Sequence, residues 1–176
     1  RSAASVVVVA RESSTRAICN RPQPMVDLTA RPVVMELLAA STWAHVDHIG
    51  WAPTMSAIGN LAAPPRVSYD GGHQVEGFSA AGLSLYAPTI EALEVRFGSS
   101  DPERLLQQAQ RESGGAVVAT DGAAGSCVLD GTGTLTQVPT FPVDVVSTLG
   151  AGDVFHGALV AALADAHSLP EAVRRA

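Results

Sequence analysis

The sequence predicts an α/β protein: a three-layer α/β/α sandwich around a mostly parallel sheet, with a β-hairpin near its N-terminus. Three observations carry this. Short β-branched or continuously apolar runs alternate with helical repeats along most of the 176 residues, an order that builds a parallel sheet covered by helices. Hydrophobic residues make up 47% of the chain and charged residues 16%, enough for a sizeable core in about one domain. Near the C-terminus the turn Gly150-Ala151-Gly152 runs into an amphipathic helix, an arrangement suited to holding an anion.

In chain order, residues 5–10 and 15–19 read as two β-branched strands joined by a polar turn at 11–14. A signal peptide is the alternative for the first run, but one Arg precedes it and the apolar part is short and β-branched. Residues 32–40 form a helix with Val33, Leu37 and Ala40 on one face, followed by a strand over 43–49. On that strand His45 and Asp47 share a face while His48 points to the other. A backbone-bonded histidine pair and a ligand contact both stay open there. A metal would want one more ligand nearby, and the sequence supplies none.

A helix over 53–61 and a strand over 66–70 repeat the alternation, and Gly71-Gly72 stops the strand. Asp70 then stands at a strand's carboxyl end, where ligands collect in open α/β sheets. It is also an ordinary turn starter. After a loop over 71–82 and a short strand over 83–86, Thr89 caps a helix reaching Phe97, with Ile90, Leu93 and Phe97 as its buried stripe. Glu91 and Glu94 lie on its surface. Asp101-Pro102-Glu103 opens the next helix with a capping side chain, Pro at the first helical position and an acid near the dipole. Gly114-Gly115 ends it.

Residues 116–120 are a buried strand by their continuous apolar run. Asp121-Gly122 before the strand 127–129 says hairpin, and a further strand covers 134–138. Residues 143–146 are read as a short apolar strand leading into the glycine turn. Phe155, Ala158, Leu159, Ala162 and Leu163 then repeat at helical spacing and face the sheet. A last helix starts at Glu171. The chain begins at Arg1 without Met and ends inside that helix, and is read as a fragment.

The glycine turn carries the chemistry. The N–H groups of a helix's first turn have no intrahelical partner, and the macrodipole adds positive charge there. Asp153, just inside that end, is favoured as the anion and available as a base. Donors for phosphoryl oxygens and a group to deprotonate a hydroxyl thus fall within four residues, as phosphoryl transfer requires.

The string Ser147-Thr148-Leu149-Gly150-Ala151-Gly152-Asp153-Val154-Phe155 resembles the D-T-x-G-A-G-D-x-F signature of the ribokinase-like, or PfkB, carbohydrate kinases. Only Ser147 departs, where the family usually has Asp. The resemblance implies an ATP-dependent kinase in which Asp153 is the catalytic base and Gly150, Ala151 and Gly152 form the anion hole. Upstream, Thr120-Asp121-Gly122-Ala123-Ala124-Gly125 resembles the family's T-x-G-x-x-G, which implies nucleotide contacts at Thr120, Gly122 and Gly125. The family's N-x-x-E, whose Glu helps hold hydrated Mg2+, is best matched by Glu91, with Pro88 at the Asn position. A similar V-x-x-D assigns Asp70 to the sugar. The family's N-terminal sugar-binding segment and C-terminal adenine-cradling segment have no counterpart here, so the resemblance implies a domain over 1–176 truncated at both ends.

The net charge is −6 with no basic cluster, which argues against a nucleic-acid partner. All eleven basic residues are Arg, so no P-loop Lys exists and phosphate must be held by backbone or Arg. The longest apolar runs are too short to span a bilayer. Two distant cysteines, Cys19 and Cys127, accord with reduced thiols in a cytoplasm. An unpaired sheet edge would invite a homodimer. Two rival functions remain: a non-catalytic remnant or nucleotide-binding module, and a dinucleotide-binding oxidoreductase using Gly150-x-Gly152. The latter needs a small residue where Phe155 stands and an acid about 20 residues on, where Leu169-Pro170 occurs.

Overall fold

The strands at 116–120 and 126–129 carry apolar side chains on both faces because both faces of the sheet are covered there. In the computed structural model, which describes residues 4–10, 15–21, 24, 26–73 and 77–176, six strands form one sheet in chain order. They are β3 (Trp43–Val46), β4 (Arg66–Asp70), β5 (Leu85–Ala87), β6 (Ala116–Thr120), β7 (Ser126–Leu129) and β8 (Leu135–Val138). Pairing is parallel from β3 through β6 and antiparallel from β6 through β8. The expected three-layer, mostly parallel sandwich is therefore present. Among the described strands the order never reverses, so the switch-point crevice of a doubly wound dinucleotide fold does not form.

Side-chain alternation divides the interior in two. Val46, Val67, Tyr69, Tyr86, Val117 and Ala119 point to one face, covered by α2 (Trp51–Ile58), α3 (Ile90–Phe97) and α4 (Pro102–Ser113). Leu85, Val118, Val128 and Val138 point to the other, where α5 (Ala151–Ala164) and α6 (Leu169–Arg175) lie. α1 (Pro32–Ala40) has no buried residue, and its Val33 and Leu37 are exposed. Local signals set several boundaries. Thr89 Oγ1 accepts the Ala92 N–H at 3.0 Å and Asp101 Oδ1 the Glu103 N–H at 3.1 Å, as their capping positions predict.

The N-terminal hairpin is present as β1 (Ala4–Ala10) paired antiparallel with β2 (Thr15–Arg21). Its expected turn at 11–14 lies outside the described residues, as do residues 74–76 of the expected loop over 71–82. All of β1 is exposed.

Two local expectations are corrected. The strand after α1 ends at Val46, because Asp47 Oδ1 accepts the N–H groups of Ile49 and Gly50 at 3.0 and 2.7 Å and turns the chain into α2. Asp47 and His48 are therefore turn residues and share no strand pleat with His45. Residues 143–146 are not a strand. They pair with no strand among the described residues, and Val143, Val145 and Val146 are exposed. Without a neighbour, apolar β propensity has nothing to ladder against.

Candidate active site

The glycine turn before α5 is built by backbone stereochemistry. Gly150 caps the helix in the left-handed region, φ 78°, which glycine adopts without steric cost. Ser147 Oγ accepts the Leu149 N–H at 3.2 Å, and the Ala151 N–H reaches Thr148 O at 3.2 Å. The first helical bond runs from the Val154 N–H to Gly150 O at 3.0 Å. The Gly152 and Asp153 N–H groups, one turn too early for an intrahelical acceptor, point out of the helix end. A Cβ placed on Gly152 would touch no protein atom. Asp153 is exposed beside these donors.

The second glycine segment is fixed by neighbours instead. At the end of β6 the Thr120 N–H donates to Pro88 O at 3.0 Å, and Thr120 bridges Thr89. A 3-10 turn (Gly122–Ala124) follows, closed by the Asp121 N–H to Gly125 O bond at 2.8 Å. Gly125 has φ 98°, and a Cβ there would collide with the Val138 carbonyl. Thr140 Oγ1 donates to Ala123 O at 3.1 Å and pins the turn to the chain leaving β8. The hairpin and the glycine-rich loop inferred from the sequence are one structure.

These two segments meet. A cavity of about 490 Å³ is lined by Thr120, Gly122 and Gly125 on one side and by Ala151, Gly152 and Phe155 on the other. Val138, Phe141, Val143 and Val173 give it apolar walls, and Arg174 also lines it. Apolar walls with a few placed polar groups suit a ring-bearing ligand with a charged tail. The sequence reading missed the walls from 138–143 and α6, which carry no motif.

Glu91 is placed elsewhere. It sits exposed in the first turn of α3 and lines a separate pocket of about 220 Å³ with Gly72, Thr89, Ala92 and Val95. Thr89 lines that pocket and Thr120 lines the larger cavity, and the two residues form an isolated β-bridge. Among the described residues no three His, Cys, Asp or Glu side chains gather as a metal cluster.

Asp70 ends β4 and is tied to α5. Its Oδ1 accepts the Gly72 N–H at 2.9 Å, and its Oδ2 lies 3.2 Å from His156 Nδ1. That contact has ion-pair length, but neither ring nitrogen of His156 meets a partner in good hydrogen-bond alignment. Burial pushes the Asp70 carboxyl up, yet the His156 contact and the Gly72 N–H outweigh it and hold the group down at about 2. His45 joins the cluster, its Nδ1 3.0 Å from Ser68 Oγ and its ring 5.4 Å from that of His156. Partial desolvation and then the neighbouring imidazole lower its pKa, against the carboxylates of Asp70, Asp47 and Asp153. His156 was not read from the sequence as a site residue. Its signal was its place three residues after Asp153 and three before the buried Leu159.

Residues 79–176, more than half of the chain, match the sequence model of the family described as "pfkB family carbohydrate kinase". The whole fold superposes on solved structures. Ribokinase from Thermotoga maritima aligns at a TM-score of 0.79 and 23% identity, over 97% of this chain and 59% of that one. Adenosine kinase from Sinorhizobium meliloti gives 0.80 and 18%, over 98% and 57%. Ribokinase from Cryptococcus neoformans in complex with ADP gives 0.67 and 19%, over 98% and 62%. At these identities the likeness is one of fold, and the chain spans about 60% of the length of the structures it matches.

Proposed function

The chain belongs to the pfkB family of carbohydrate kinases, and from that premise we propose that residues 1–176 are one ribokinase-like domain carrying the phosphoryl-transfer centre of an ATP-dependent kinase acting on a sugar or sugar-like hydroxyl. The observation that carries this is the shared cavity. Two glycine segments about 30 residues apart in sequence line one space of about 490 Å³, apolar where a base would stack and rich in backbone N–H where phosphates would lie.

In this reading the nucleotide lies along Thr120, Gly122 and Gly125, with its terminal phosphate over Gly150, Ala151 and Gly152. The Gly152 and Asp153 N–H groups bind nonbridging oxygens, and the open space at Gly152 is where they fit. Asp153 accepts the proton of the acceptor hydroxyl as its oxygen attacks the γ-phosphorus in line; the bond to the β-phosphate oxygen breaks and ADP leaves. Asp70 holds the acceptor from the end of β4. Glu91, in its own pocket beside the Thr89–Thr120 bridge, is the carboxylate that would hold a Mg2+ through water, and the ion would supply neutralisation of phosphate charge. Two unpaired thiols, Cys19 and Cys127, accord with a cytoplasmic location, and the exposed hairpin strand favours a homodimer. Among the described residues no helix is long and apolar enough to cross a membrane.

A nucleotide-binding module without transfer is the second reading, favoured by the exposure of Val143, Val145, Val146 and Leu149 just before the turn. The deciding experiment is thermal unfolding of this chain with ADP and Mg2+, with NAD as control, followed by phosphorylation assays over a sugar panel. A ligand that binds only the folded state raises the midpoint. A shift with ADP alone plus turnover supports the kinase; a shift without turnover supports the module; no shift removes both.

A further inference from the structure

Behind the turn, His156 has no role in the nucleotide reading, although it lies against Asp70. His156 is buried, 7% exposed at the side chain, on the apolar face of α5 with Leu159 and Ala162. An imidazole there leaves ring nitrogens imperfectly bonded, a cost that a leucine would avoid. What the imidazole gains is Asp70, whose other oxygen is anchored by the Gly72 N–H at 2.9 Å. Asp153 precedes His156 by three residues, so the two are neighbours along one side of the helix.

We propose that the Asp70–His156 pair is a strut that fixes the rotation of α5 about its axis, and thereby aims Asp153 and the N–H groups of the glycine turn toward the carboxyl ends of β3 and β4. His156 is a positioning residue: its nitrogens are enclosed and it acts through the first turn of α5. His45 and Ser68, joined at 3.0 Å, brace the ring from β3 and β4. The function assigned to the strut rests on the reading that the Gly150–Gly152 turn carries phosphoryl transfer.

The test uses the 176-residue chain itself. Long-range proton–nitrogen NMR spectra of its imidazoles should show His156 with the proton on Nδ1, and Asp70→Asn should shift that signal. Asn places a donor near Nδ1 and Gln places one near Nε2. His156→Asn should therefore leave the amide resonances of Gly150, Gly152 and Asp153 close to their original positions, whereas His156→Gln and Asp70→Asn should move them and leave those of Gly122 and Gly125 in place. ADP binding should weaken by about tenfold in each of the latter two and no further in their double variant. A purely structural role would spread its shifts over α5 and give no preference for Asn over Gln. An Nε2-protonated His156 in the unsubstituted chain overturns the proposal even if every variant unfolds, and so do unmoved turn amides or additive losses. If the unsubstituted chain binds no ADP, the nucleotide reading fails while the tautomer and amide results still decide the strut.

Discussion

The two glycine turns that line the large cavity are glycine-rich for different reasons. At Gly125 the protein itself demands glycine: φ is 98° and a Cβ would strike the Val138 carbonyl. At Gly152 the protein demands nothing, since a Cβ would meet no atom of the chain. One turn is shaped by what packs on it. The other is shaped by its own dihedrals and left open, its approach from 141 to 149 exposed. Packing therefore accounts for the glycine at 125, and it does not account for the one at 152.

Substitutions can break or sharpen this contrast. The largest effect is expected at the open turn: Asp153→Asn should lower kcat by roughly 10²–10⁴-fold while ADP affinity holds, read by steady-state kinetics and calorimetry. Retained turnover would remove the base assignment. Gly125→Ala should cost about 3 kcal/mol of stability, because backbone atoms of Val138 and Pro139 block the methyl group; chemical denaturation measures it, and an unchanged midpoint would mean the loop yields. Gly152→Ala should do the reverse, leaving stability within about 0.5 kcal/mol or raising it through helix propensity while weakening ADP binding. Equal ADP binding would show that the space at Gly152 is not used. Thr89→Ala, which removes the cap of α3 beside the Glu91 pocket, should cost about 1 kcal/mol.

A pH dependence tests the contact behind the open turn. Asp70 is lowered in the folded chain from 3.8 to about 2, so the folded state binds its proton less well than the unfolded state does. Its contribution to stability is complete above the unfolded value and is lost as pH falls through about 4 to about 2. Thermal midpoints measured across that interval should fall more steeply for the parent chain than for Asp70→Asn. Parallel curves would mean that Asp70 carries no linkage.

Much of the fold was legible because its signals are local. The strand at 116–120 lies where its continuous apolar run places it, the strand at 66–70 ends at the glycine pair expected to stop it, and α3 and α4 begin at their capping side chains. The strand expected at 143–146 failed for the opposite reason: its propensity was right, but strand formation depends on a neighbour that the local pattern does not contain. The strand expected to reach Ile49 was cut short by the Asp47 carboxylate, which caps two N–H groups of the following turn.

The candidate site divides along the same line. By itself the sequence determined the turn before α5, the acid inside its first turn, and the second glycine loop, because each depends on backbone stereochemistry and hydrogen bonds between residues a few positions apart. Only the tertiary structure decided that residues 120–125 and 150–155 share one cavity, that Glu91 opens onto another, and that His156 reaches back to Asp70. Those contacts join distant parts of the chain through helices packed on opposite faces of one sheet. They follow from how the apolar faces close on one another, which no short-range pattern records.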